Sequence, residues 1–179
     1  SQSVLKMVAD TPAEVPCTTF SILFARYKGD LIEAARGAAA IESLRPGDRI
    51  LICEACSHHA IEDDIGRVKI PRWLRQSVGG DLTVDVSSGR DEPDDLSPYA
   101  LIIHCGGCML TRREMLFRVE RARSQKVPIT NYGVAIAVLQ GVIARVLSPF
   151  PAALEAYRAE RRRRSREHAG ERSTHAASC

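Results

Sequence analysis

Pro12 and Pro16 break up the first 20 residues, which read as an irregular lead-in. Phe20-Ser21-Ile22-Leu23-Phe24 is then a short apolar run that reads as a strand, although its length also admits helix. Lys28-Gly29-Asp30 stops it, and Asp30 is placed to cap a helix through Leu31, Ala34, Ala35, Ala38 and Ile41. After the turn Pro46-Gly47-Asp48, residues 49–53 run Arg-Ile-Leu-Ile-Cys with little polar alternation, which suits a parallel strand covered on both faces. A helix is expected over 70–78, starting near Pro71 and stopped by Gly79-Gly80. A strand over 82–86 and a polar loop over 87–97 follow.

The pattern then recurs more distinctly. Residues 100–103 form an apolar strand that enters His104-Cys105-Gly106-Gly107-Cys108. Thr111 and Glu114 have capping-box spacing and predict a helix that ends near Lys126. Residues 127–130 are a short strand, and Asn131 caps an apolar helix over 132–147 that Pro149 and Pro151 close. Strands alternating with helices predict an α/β fold: a mostly parallel sheet flanked by helices, in Rossmann-like layering. Loops leaving the carboxyl ends of parallel strands gather on one edge, where such folds bind ligands. The expected organisation is a first region over 1–45, an α/β domain over 46–155 and a basic tail over 156–179.

Hydrophobic residues make up 45% and charged residues 26% of the 179, so a packed core is feasible. No window approaches the roughly 18 to 20 apolar residues of a membrane helix. The first residues lack the basic and apolar parts of a secretory signal, so a membrane partner is not expected and the cytoplasm is the expected compartment. The lack of an initiator methionine suggests a processed or excised piece. The net charge of +3 is concentrated late, at Arg161, Arg162, Arg163, Arg164 and Arg166. No aromatic residues interleave there to stack on bases, so specific nucleic-acid binding is not expected. No Gly-x-x-x-x-Gly-Lys-[Ser/Thr] loop is present, and no catalytic residue is assigned.

Six cysteines without a secretion signal argue against a disulfide framework. Four of them form close pairs, Cys53/Cys56 and Cys105/Cys108, each directly after a predicted strand. Two thiolates separated by two glycines can grip a metal ion or part of a cluster. Cys56 supplies a third sulfur, a set that suits a [4Fe–4S] cluster with one iron left for an exchangeable ligand. The same spacings allow a zinc site on Cys53, Cys56, Cys105 and Cys108, hence a zinc-stabilised interaction module. Cys105 and Cys108 alone would also serve a dithiol oxidoreductase. Cys53 ends an apolar strand, where its side chain would pack as a small hydrophobe. His58 can face the site and Glu62, Asp63 and Asp64 offer oxygen ligands, whereas His104, His59 and Tyr132 suit supporting contacts.

The chain closely resembles the carboxyl-terminal part of the GTPase-containing [FeFe]-hydrogenase maturation scaffold. The resemblance spans residues 17–151 and is carried by Phe20-Ser21-Ile22-Leu23-Phe24-Ala25-Arg26-Tyr27-Lys28-Gly29-Asp30, Glu54-Ala55-Cys56-Ser57-His58-His59, His104-Cys105-Gly106-Gly107-Cys108-Met109 and Pro128-Ile129-Thr130-Asn131-Tyr132-Gly133-Val134-Ala135. It implies a [4Fe–4S] cluster on Cys56, Cys105 and Cys108, with His58, Glu62 or Asp63 as the fourth ligand. It also implies a carrier that accepts a diiron precursor made with the help of two radical maturation enzymes and delivers it to immature [FeFe]-hydrogenase. Residues 1–45 resemble the end of a dimerisation domain, so a homodimer is expected.

Overall fold

The computed structural model describes residues 2–55, 64–89 and 91–176, with no side-chain account for 2–4 and 171–176. Four strands, β1 (Arg49–Glu54), β2 (Thr83–Ser88), β3 (Leu101–His104) and β4 (Ile129–Asn131), form one parallel sheet in the order β2-β1-β3-β4. This is the α/β architecture that the alternation of elements predicts. From β1 the chain passes outward to β2 on one side, then returns to place β3 and β4 on the other. The direction of winding therefore reverses between β1 and β3.

Reversal with right-handed crossovers puts successive helices on opposite faces. Helix α4 (Ile70–Val78) joins β1 to β2, and α5 (Arg112–Ser124) joins β3 to β4. Strand alternation matches this division. Ile50, Ile52, Leu101 and Ile103 pack with Ile70 and Leu74 of α4 and with Ala135, while Leu51, Cys53, Ile102 and Ile129 pack with Ala122 of α5. All four central residues of β1 are buried, as expected for a strand covered twice.

Several helix ends follow directly from sequence. Asp30 accepts the Glu33 amide at 3.0 Å and starts α3 (Leu31–Ala38), which a tight 3₁₀ turn over Ala39–Ser43 extends. Thr111 and Glu114 form the reciprocal capping box of α5. Gly79 ends α4 in the left-handed conformation at φ +70°.

Other elements differ from the periodicity reading. The segment expected to be irregular contains α1 (Gln2–Asp10); the two prolines confine irregular chain to the residues after it. The run at 20–24 is not a strand but the start of α2 (Phe20–Lys28), whose first turn Thr19 caps by accepting the Ile22 amide at 3.3 Å. Its buried residues, Ile22 and Ala25, have helical spacing, which a five-residue apolar window does not resolve. The helix expected over 132–147 breaks into α6 (Tyr132–Leu139) and α7 (Ile143–Val146). Gly141, at φ +72°, donates to Val138 O while Val142 donates to Ala137 O, both at 2.9 Å, and this paired bonding terminates α6. β2 runs on to Ser88, two residues past its expected end.

The basic segment from residue 156 continues as helix α8 (Pro151–Ala176), anchored by buried Ala153 and Tyr157 in a cluster with α3. Four of its arginines are paired: Arg161 with Glu42 at 2.9 Å, Arg162 with Glu155 at 2.7 Å, and Arg163 and Arg164 with Glu160 at 2.5 and 2.8 Å. No described helix is long and apolar enough to cross a membrane.

Helix α3 also packs against β4 through Gly37. A Cβ there would stand 2.0 Å from Ile129 O and 2.6 Å from its carbonyl carbon. Because backbone of a sheet edge cannot yield as a side chain can, Gly37→Ala should lower stability by roughly 2–3 kcal/mol. Gly170→Ala, where a Cβ meets nothing within 4 Å, should leave it unchanged or raise it by up to about 1 kcal/mol. Urea unfolding midpoints of the two variants measure the contrast.

Candidate metal centre between β1 and β3

The parallel register sets Cys53 opposite His104, and the Cys105 amide donates to Cys53 O at 2.8 Å. The loops after β1 and β3 therefore leave the sheet side by side. The Ala55 amide donates to Cys105 Sγ at 3.1 Å, across 50 positions of sequence, and the Gly107 amide donates to the same sulfur at 3.4 Å. Amide donors favour the thiolate over the thiol. Gly107 adopts φ +64°, and the Leu110 amide closes the turn by donating to Gly107 O at 3.0 Å. Cys105 is half-buried, Cys108 is exposed, and neither is in a disulfide.

Both cysteines line a cavity of about 420 Å³ that extends toward α2 and α6. Phe20, Phe24 and Lys28 form one wall, and Thr130, Asn131 and Tyr132 part of another. Phe20 and Phe24 stack with ring centroids 5.9 Å apart. Asn131 caps α6 by accepting the Val134 amide at 2.9 Å and so orients Tyr132 at the cavity edge. The Tyr132 hydroxyl has no hydrogen-bond partner among the described residues. Burial, with Glu54 close by, raises it above the usual phenol range. The chain returns past it through a π-helical turn, Ile65–Lys69, which Asp64 caps by accepting the Arg67 amide at 2.8 Å. A Cβ on Gly66 would stand 2.0 Å from the Tyr132 oxygen, so only glycine permits this approach.

Cys53 points elsewhere. It is buried among Leu51, Tyr99 and Ile102 on the α5 face, and burial, followed by Glu92, raises its thiol far above the ordinary range. This is the packing position that the apolar strand predicts. Cys56, His58, His59, Glu62 and Asp63 lie outside the described residues. Among the described residues no group of three or more His, Cys, Asp or Glu side chains is disposed to hold a metal ion.

His104, only 2% exposed, borders the same cavity, but its ring is bonded toward α5. Its Nε2 lies 2.7 Å from Arg118 Nη1, which can only donate, so Nε2 accepts and Nδ1 carries the proton. Nδ1 then donates to Cys105 O at 2.7 Å. Arg118 is itself held by Glu92 at 2.5 Å and by Gly89 O at 2.5 Å, and Glu92 also pairs with Arg121 at 3.0 Å. Neither ring nitrogen is left for a metal, and the ring fixes the backbone that aims the Cys105 sulfur. Arg118 and Glu92 are the participants that sequence reading missed. Arg118 is a buried cation in an otherwise charged helix, a signal that only its i,i+3 spacing from buried Met115 could have raised.

Burial first, and then Arg118, push His104 down to about 4. The unfolded histidine takes a proton near pH 6.5, whereas the folded one refuses it until about pH 4. The stability from neutral His104 is therefore complete above pH 6.5 and is lost as the pH falls toward 4, by on the order of 3 kcal/mol. Denaturant titration of metal-free protein from pH 7 to pH 4 should show this slope, and His104→Gln should flatten it.

A family model described as the hydrogen maturase F tetramerization domain matches residues 32–149, and one described as the hydrogen maturase F dimerization domain matches residues 1–29. No curated protein matches the chain. The first match alone covers more than half of the sequence and includes the whole sheet and both loops of the site. With the cysteine pair and its supporting histidine built on that region, the chain belongs to the hydrogen maturase F family.

Proposed function

We propose that this chain is a hydrogenase-maturation scaffold that holds a [4Fe–4S] cluster on Cys56, Cys105 and Cys108 and carries a diiron precursor. Membership of the hydrogen maturase F family supports the role in hydrogenase maturation. One observation carries the finer reading: Cys105 Sγ accepts two backbone amides at the mouth of a cavity of about 420 Å³. Donors of this kind stabilise a ligating sulfur and tune a cluster held by it.

The donor set fits such a cluster. Two thiols face a common space, the residue after amide donor Ala55 is Cys56, and His58, Glu62 or Asp63 is available as fourth ligand. When bound, the cluster supplies an iron whose fourth coordination position is exchangeable. The chain's own residues hold and orient: His104 clamps the Cys105 carbonyl, Gly106 and Gly107 keep bulk away, and Tyr132 presents a hydroxyl at the edge. A four-cysteine zinc site draws no support from this arrangement, because the Cys53 sulfur is turned into the core. In the proposal the two radical maturation enzymes supply the precursor, immature [FeFe]-hydrogenase receives it, and the compartment is the cytoplasm.

Self-association belongs to the same reading. On α2, within the segment matched by the dimerization domain, Phe20 and Tyr27 are 78% and 74% exposed and Leu23 lies between them on one stripe. A second copy of the chain covering this stripe accounts for its apolar character.

Anaerobic reconstitution followed by iron and sulfide analysis and electron paramagnetic resonance tests the cluster. Wild type and Cys53→Ser should bind about four irons with matching sulfide, and Cys105→Ser and Cys108→Ser should lose most of both. Colourless protein with one zinc would overturn the proposal. In sedimentation, Leu23→Glu with Tyr27→Glu should weaken self-association by about tenfold or more, the equivalent of about 1.4 kcal/mol. A wild-type chain that stays monomeric at high concentration would remove the oligomer from the reading.

A further inference from the structure

Lys28 ends α2 at the cavity wall and shares that cavity with Cys105 and Cys108. Its Nζ donates to Leu110 O at 2.6 Å. Leu110 is the residue whose amide closes the turn around Cys108, so the ammonium is pinned at the base of that turn. The Phe24 ring, 5.8 Å away, covers one side of the cation.

No carboxylate among the described residues pairs with Lys28. Asp30, on the same wall, uses its carboxylate to cap α3. Neighbouring cations are committed elsewhere: Arg112 donates to Tyr27 O and Gly29 O at 2.9 Å each, and Arg118 is held by Glu92. Lys28 thus brings an uncompensated positive charge to a largely apolar wall beside two thiols, with two N–H donors beyond the one bound to Leu110. Thiolate ligands supply the complementary negative charge, and a nearby cation favours the more reduced state of a group they hold.

We propose that Lys28 is a charge-compensating residue of the thiolate site, setting the potential of the cluster through its field without ligating it. This rests on the cluster reading above. Three variants separate charge from hydrogen bonding: Lys28→Arg keeps both, Lys28→Gln keeps a donor only, and Lys28→Met keeps neither. After anaerobic reconstitution, all three should match wild type in iron and sulfide. In a redox titration followed by electron paramagnetic resonance, the Gln and Met variants should shift to a more negative midpoint and the Arg variant should not. An unchanged midpoint in both neutral variants, or a shift in Met alone, would overturn the proposal. If wild type binds no iron or sulfide, the cluster reading fails and the proposal, which rests on it, is overturned with it, whereas iron bound with an unchanged midpoint overturns the role of Lys28 alone.

Discussion

The parallel pairing of β1 with β3 is the constraint on which the site depends. It places Cys53 beside His104, joins their strands through the Cys105 amide, and brings Ala55 within hydrogen-bond reach of Cys105 Sγ. Both strands are central and apolar, so their register is held by side chains packed on two faces. A slip by one residue would reverse every side chain. Cys53 would leave the core, and His104 would lose Arg118.

A polar network secures the same junction from the α5 side. His104, Arg118 and Glu92 are buried together, and their bonds tie β3, the helix after it and the segment after β2 to one point. Breaking one partner of a buried charged pair costs far more than an exposed pair contributes. Arg161, Arg162 and Arg163 of α8 are of the second kind: paired with glutamates, yet mostly exposed. They decorate a helix that Ala153 and Tyr157 already anchor.

The hydrogen maturase F family supplies a context in which this geometry makes sense. The dimerization-domain match ends just after α2, where Ile22 and Ala25 face the core, Phe24 and Lys28 face the cavity, and Tyr27 faces solvent. One helix therefore carries both an exposed apolar stripe and part of the cavity wall.

Sequence alone determined the parallel strands, most helix caps and the loop that carries Cys105 and Cys108, because these rest on local signals: continuous apolar runs, a side chain three residues from an amide, and glycines where left-handed backbone is needed. The apolar run that ends at Cys53 also sufficed to place that side chain in the core. Local pattern did not suffice for α2, since a five-residue apolar run carries no decisive period. Nor did it find the break at Gly141, whose surroundings are apolar throughout. Tertiary structure decided what the loops could do. The amides on Cys105 Sγ, the arginine and glutamate behind His104, and the cation pinned under the Cys108 turn all join residues distant in sequence. No local pattern encodes such meetings; they follow from strand order and register, which only the packed sheet settles.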